Sequence, residues 1–131
     1  MTATASDLSE RIDVVERGYE YLLAYAAQGR QEESGSEARV TLERIYSALD
    51  ALRPAAEKAL ASAASSKQYD LGPFLNALER DASTARSAIG LALSRPSISS
   101  MLVDNLNASV HLRALLTDVF LLEQALRSGS E

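Results

Sequence analysis

Apolar residues recur at alternating intervals of four and three along most of this chain, and no other feature constrains the fold as strongly. In the first segment they fall on one face of a helix: Leu8, Ile12, Val15, Tyr19, Leu22 and Ala26. Residues three and four apart are neighbours on a helix surface, so such a seam is expected to face a core. Similar seams run from Leu42 to Ala63, from Leu71 to Ile89 and from Met101 to Leu126. The repetition predicts an all-α protein.

Turn and cap residues divide the sequence into four predicted helices, at approximately 6–30, 36–65, 70–94 and 97–127. Asp7 and Asp70 are predicted N-caps, because their carboxylates can accept the unpaired N–H groups of a first turn. Pro54 lies inside the second helix and is expected to kink or restart it. Short connections between long helices favour antiparallel neighbours. We therefore predict that residues 1–131 form a single domain, an antiparallel up-down-up-down four-helix bundle.

Composition removes several functional classes. The formal net charge is −5 with acids and bases interspersed, which disfavours binding to nucleic acid or to an anionic membrane surface. The absence of cysteine excludes disulfides and thiolate metal sites. The start of the chain lacks the features of a secretory signal, and its longest nearly apolar run, 22–27, is too short to span a bilayer. We therefore expect a cytoplasmic protein, and abundant Ala and Arg favour a bacterial source.

His111 is the only histidine, so any histidine-based chemistry depends on it. Asp104 and Asp118 stand seven residues to either side, which is about 10 Å along a helix axis and too far to close on one ion. No glycine-rich phosphate loop and no helper motif for a serine nucleophile accompany it. The sequence therefore predicts no enzymatic activity, no metal and no cofactor.

The segment His111-Leu112-Arg113-Ala114-Leu115 resembles the histidine phosphotransfer domains, which are also acidic four-helix bundles of similar length with an exposed histidine. The family typically has Lys three residues after that histidine and a small residue four after it. Here the basic residue comes one place early, and Leu115 is bulky. The resemblance implies His111 as an alternative phosphoacceptor in a signalling bundle.

A second alternative is a small-ligand carrier or sensor with its site between helices. Asn105 is the one clear polar residue on the last seam, and the second seam becomes mostly alanine beyond Pro54. Either position could line a ligand cavity within a bundle.

A second apolar stripe on the first helix carries the main functional prediction. It consists of Val14, Gly18, Tyr21 and Tyr25, beside the core seam. An amphipathic helix needs only one apolar face, and tyrosine is enriched at protein interfaces. The rest of the bundle could cover this stripe, or another chain could. We predict a non-enzymatic adaptor or accessory protein that acts through protein–protein contact, as a homodimer through this stripe or with another protein.

Overall fold

A computed structural model describes residues 3–63 and 69–129, with side chains for 7–63 and 69–127. Within those residues the protein is all helical, and the all-α prediction is confirmed. The described part of the chain has six helices: α1 (Ala3–Ala26), α2 (Ala38–Ala48), α3 (Leu52–Ala63), α4 (Gly72–Leu93), α5 (Ser100–Ala108) and α6 (Val110–Gly129). The prediction of four helices is wrong in one respect, since the second and the fourth are each divided in two.

The second predicted helix is interrupted just after α2. Ala51 adopts a left-handed backbone conformation with φ of 58°, which turns the chain before α3 begins. Pro54 then falls in the first turn of α3, where a missing N–H breaks no intrahelical bond. Arg11 of α1 donates from Nη1 to the carbonyl oxygens of Ala48 and Asp50, which the break leaves without helical partners. The proline therefore restarts the helix and does not kink it.

The last predicted helix is interrupted at Ser109, whose backbone is extended with ψ of 146°. Its hydroxyl donates to the Leu106 carbonyl at 2.7 Å and accepts from the Leu112 N–H at 3.3 Å, so one side chain serves both helix ends. The break changes which face is buried. Before it, the predicted seam residues Met101, Asn105 and Ala108 are exposed, and Val103, Leu106 and Asn107 are buried instead. After it, Leu112, Leu115, Val119 and Leu122 are buried as predicted.

Helix α1 is central to the packing, because it contacts α2, α3 and α5. Its predicted seam is confirmed at Leu8, Ile12, Val15 and Leu22, which are all buried, while Tyr19 and Ala26 pack partly buried against the same core. Helix α4 contacts α2, α3, α5 and α6. Asp7 does not cap α1, which begins at Ala3; its carboxylate pairs instead with Arg11 at 3.1 Å. Asp70 does not cap α4 either: Leu71 occupies the N-cap position without a side-chain cap bond, and the Asp70 carboxylate, one residue earlier, accepts from the Gly72 N–H at 2.9 Å.

Candidate functional site

The second stripe of α1 is covered largely by the chain itself. Tyr25 has no exposed surface, and its hydroxyl donates to the Ile98 carbonyl at 2.6 Å. Gly18 is also buried. Sequence alone could not decide what covers this stripe, and the structure places the segment before α5 over Tyr25 and α2 over Gly18. The predicted contact face is therefore corrected, since neither residue is available to a second chain.

Gly18 allows α2 to lie close to α1. A Cβ atom added there would lie 2.6 Å from Cδ1 of Ile45 and 2.7 Å from its Cγ1, both closer than van der Waals contact permits. Ile45 is itself almost fully buried and has little room to move. Because Gly18 has no side chain, Ile45 of α2 packs directly against the backbone of α1.

Val14 and Tyr21 are the two members of the stripe that keep part of their surface. Both are partly buried against the core. The Tyr21 ring stacks on Tyr25 with ring centres 6.1 Å apart, and its hydroxyl accepts a hydrogen bond from the Glu37 N–H at 3.0 Å. Tyr21 therefore also anchors the start of α2.

A groove between α1 and α2 contains what remains accessible of the predicted face. It consists of two hollows of about 450 and 520 Å³ that share Val14 and Arg44. The α1 side runs from Glu10 to Tyr21, which is about 16 Å at 1.5 Å per residue. We call this surface the α1/α2 groove, and its lining includes Glu10, Arg11, Asp13, Val14, Arg17, Gly18, Tyr21, Glu37, Val40, Thr41, Glu43, Arg44, Ser47 and Ala48.

The α1/α2 groove has an apolar strip and a rim of mixed charge. Val14 and Val40 supply the strip, and Val40 is 42% exposed. The lining has three arginines and four acids, so neither sign dominates. An open groove of this length, with apolar centre and polar rim, matches the general anatomy of a protein–protein contact.

A network of hydrogen bonds fixes the loop at one end of this groove. Glu33 binds Arg39 through two parallel hydrogen bonds of 2.9 and 2.8 Å and accepts from the Ile98 N–H at 2.8 Å. Arg39 also donates to the carbonyls of Leu93 and Arg95, each at 2.9 Å, at the end of α4. The Arg39 guanidinium lowers the pKa of the Glu33 carboxyl. We call Tyr25, Glu33, Arg39 and Ile98, with Ser100, the loop junction.

Ser100 completes the loop junction from the start of α5. Its buried hydroxyl donates to the Tyr25 carbonyl at 2.7 Å and accepts from the Arg30 N–H at 2.9 Å. Its own N–H donates to the Arg30 carbonyl at 2.8 Å. The Tyr25 carbonyl at the end of α1 and the backbone of Arg30 are thus hydrogen-bonded by a residue far along the chain. These bonds hold the loop after α1 against the segment before α5.

The alternative sites predicted from the sequence lie apart from this groove. His111 is exposed on the first turn of α6, while Leu112 and Leu115 face the core. Asn105 is exposed on α5, so it cannot line a ligand site between helices. Beyond Pro54, Ala55, Ala56 and Ala59 are buried in the core, and residues 64–68 of the same predicted helix lie outside the described residues.

Two carboxyl groups near other acids have raised pKa values, which the local sequence pattern does not reveal. Glu16 of α1 and Glu123 of α6 line one surface hollow, and partial burial together with that acidic neighbour raises the pKa of Glu16 to about 7. Burial, together with the acidic neighbour Asp81 of α4, raises the pKa of Asp118 to about 7. Partners on different helices cannot be read from one helical repeat, so only the folded chain brings these acids together.

Comparison with protein-family models, with curated protein sequences and with solved structures found no match. Among the described residues, no helix combines the length and apolar character that a membrane span requires. In the same part of the chain, no cluster of three or more His, Asp or Glu side chains is arranged to hold a metal ion. The geometry of the α1/α2 groove is therefore the main guide to function.

Proposed function

We propose that this protein is a cytoplasmic, non-enzymatic adaptor or accessory factor that works through protein–protein contact and forms a homodimer through the α1/α2 groove. The observation that carries the proposal is the position of Val14 and Tyr21, the two stripe residues that keep part of their surface, in the lining of one surface groove. We interpret the six helices as four arms of an antiparallel bundle, with α2/α3 and α5/α6 as interrupted arms. On this interpretation the groove runs between two neighbouring arms.

The charge of the groove supports a second copy of the chain as the occupant. The whole chain has a formal net charge of −5, so two copies repel each other over most of their surface. In the groove, three arginines stand against four acids, and that repulsion is nearly absent. A two-fold interface places one patch against itself, and a patch that carries both signs can pair with a second copy of itself. The apolar strip of Val14 and Val40 would form the centre of this contact.

The proposal is tested by light scattering on the purified chain and on two valine variants. The wild type is expected to show twice the 14.1 kDa mass of one chain. Val40→Asp is expected to give the monomer mass, because it puts a carboxylate in the apolar strip at the centre of the proposed contact, where removing its water is costly. Val40 lies in the first turn of α2, where a carboxylate is compatible with the helix.

Val110→Asp is the matched control. Val110 also lies in the first turn of its helix, it is 67% exposed, and it is not part of the groove lining. This variant should remain dimeric. A wild type that stays monomeric over a wide concentration range, or a Val40→Asp chain that stays dimeric, would contradict the proposal. Tyr21→Asp is less suitable, because it would also remove the acceptor of the Glu37 N–H.

A further inference from the structure

We propose that a hollow at the break between α2 and α3 binds a small zwitterion, a free amino acid with an aliphatic side chain. The hollow has a volume of about 230 Å³ and is formed by residues 49–54 together with Glu79, Ala82, Ser83 and Arg86 of α4. We call it the α2/α3 hollow. None of these residues lines the α1/α2 groove, so this inference does not depend on the proposed dimer.

The guanidinium of Arg86 is held in place by Tyr46 of α2. Its Nε donates to the Tyr46 carbonyl at 2.9 Å, and its central carbon lies 3.8 Å from the centre of the Tyr46 ring. The ring is itself partly buried against the core, and it lies so close to α4 that a Cβ added at Gly90 would be 3.3 Å from its Cε1. A guanidinium fixed in this way loses little freedom when it binds a carboxylate.

The charges that line the α2/α3 hollow leave one cation and one anion uncompensated. Arg53 pairs with Glu79 at 2.9 Å, so these two charges balance each other. The other two are Arg86 and Asp50, and within the described ranges neither forms an ion pair. A ligand with a carboxylate and an ammonium group would compensate both. A simple anion would instead be repelled by Asp50.

The size and the floor of the α2/α3 hollow fit an aliphatic amino acid. Leu49, Leu52 and Ala82 line it and are buried, so they supply an apolar surface for a ligand side chain. A volume of 230 Å³ is below the range of about 300–1,000 Å³ that is usual for drug-sized ligands. At about 30 Å³ per water molecule it has room for roughly eight non-hydrogen atoms, which is the size of valine or leucine.

The backbone on one side of the α2/α3 hollow is fixed in an unusual conformation. Ala51 has φ of 58°, in the left-handed region that residues other than glycine rarely adopt. Pro54 prevents relaxation to a continuous helix, because it has no N–H to donate to the Asp50 carbonyl, which accepts from Arg11 instead. Such backbone conformations are concentrated at ligand-binding and active sites. The break therefore gives this side of the hollow a permanent shape.

The proposal is tested by amide NMR titration of the isotope-labelled chain with L-leucine at millimolar concentrations. Shift changes are expected at residues 49–54 and 82–86 and not in the α1/α2 groove. Isocaproate lacks the amino group of leucine, and isoamylamine lacks its carboxylate. Each analogue should bind about tenfold or more weakly than leucine, because one charge of the hollow then stays unpaired.

Two variants remove the uncompensated charges one at a time. Arg86→Gln and Asp50→Asn should each weaken leucine binding by about tenfold or more. Asp50→Asn also guards against a folding defect, since Asp50 is exposed and its contact with Arg11 uses the backbone carbonyl, which the substitution keeps. Circular dichroism checks that each variant is folded.

Arg80→Gln is the matched control. Arg80 is an exposed arginine on the same helix as Arg86, and it does not line the α2/α3 hollow. This variant should bind leucine like the wild type. The proposal is overturned if leucine causes no shift changes at the hollow, if isocaproate binds as tightly as leucine, or if Asp50→Asn keeps the wild-type affinity.

Discussion

Replacing Tyr25 with alanine is expected to lower the free energy of unfolding by about 3–5 kcal/mol, the usual cost of removing a large buried aromatic ring. Tyr25 has no exposed surface, it stacks on Tyr21, and it packs in the main core. A domain of this size is generally stable by only about 5–15 kcal/mol, so the variant should be close to unfolding. Urea denaturation followed by circular dichroism measures the change.

Tyr25→Phe separates the hydroxyl from the ring. It keeps the packing and removes only the donor to the Ile98 carbonyl, so we expect a loss of about 1–3 kcal/mol for an acceptor left buried without a partner. Tyr69→Ala is the control, because Tyr69 is 75% exposed and its removal should change stability by less than about 0.5 kcal/mol. Equal effects at Tyr25 and Tyr69 would mean that Tyr25 is not part of the core.

Replacing Glu33 with alanine is expected to lower the free energy of unfolding by about 2–3 kcal/mol, in the range of hydrogen bonds to charged groups. The substitution removes both bonds to Arg39 and leaves the Ile98 N–H without its acceptor. Side chains of this pair are only 21% and 32% exposed, so solvent screens them less than a surface pair. Chemical denaturation of Glu33→Ala, of Arg39→Ala and of the double variant should give a coupling energy of about 1–2 kcal/mol.

Asp13 and Arg17 provide the matched comparison. They form an ion pair at 3.1 Å, but their side chains are 54% and 79% exposed. Arg17→Ala should therefore cost less than about 1 kcal/mol. If Glu33→Ala had as small an effect, the loop junction would contribute no more than an ordinary surface pair.

The sequence predicts the fold best where one helix runs without interruption. The seam of α1 is confirmed at four buried positions because each helical turn repeats the last. The break at Ala51 could not be read in this way, since alanine carries no signal for a left-handed conformation. The break at Ser109 is similar. It separates α5 from α6, so the buried face of α5 does not continue the seam of α6, and Asn107 is buried where Asn105 was expected.

The candidate site was predictable only in part for a related reason. Helical spacing identifies Val14, Gly18, Tyr21 and Tyr25 as neighbours on α1, but it carries no information about what lies opposite. The structure shows that Gly18 meets Ile45 and that Tyr25 meets Ile98. The acidic neighbours that raise the pKa of Glu16 and Asp118 depend equally on helix-to-helix register. Periodicity gives the faces of a helix, and tertiary contacts decide which of them stay accessible.

The loop junction also has a consequence for the order in which the chain folds. Its hydrogen bonds join residues far apart in sequence: Tyr25 and Ile98 are separated by 73 positions, and Tyr25 and Ser100 by 75. During synthesis, α1 and α2 emerge first, and the Tyr25 hydroxyl and the Arg30 backbone lack these partners until Ile98 and Ser100 follow. Long-range contacts of this kind close late and slow folding. The first half of the chain is therefore not a unit that matures by itself, and its final shape is set only after α4 has been made.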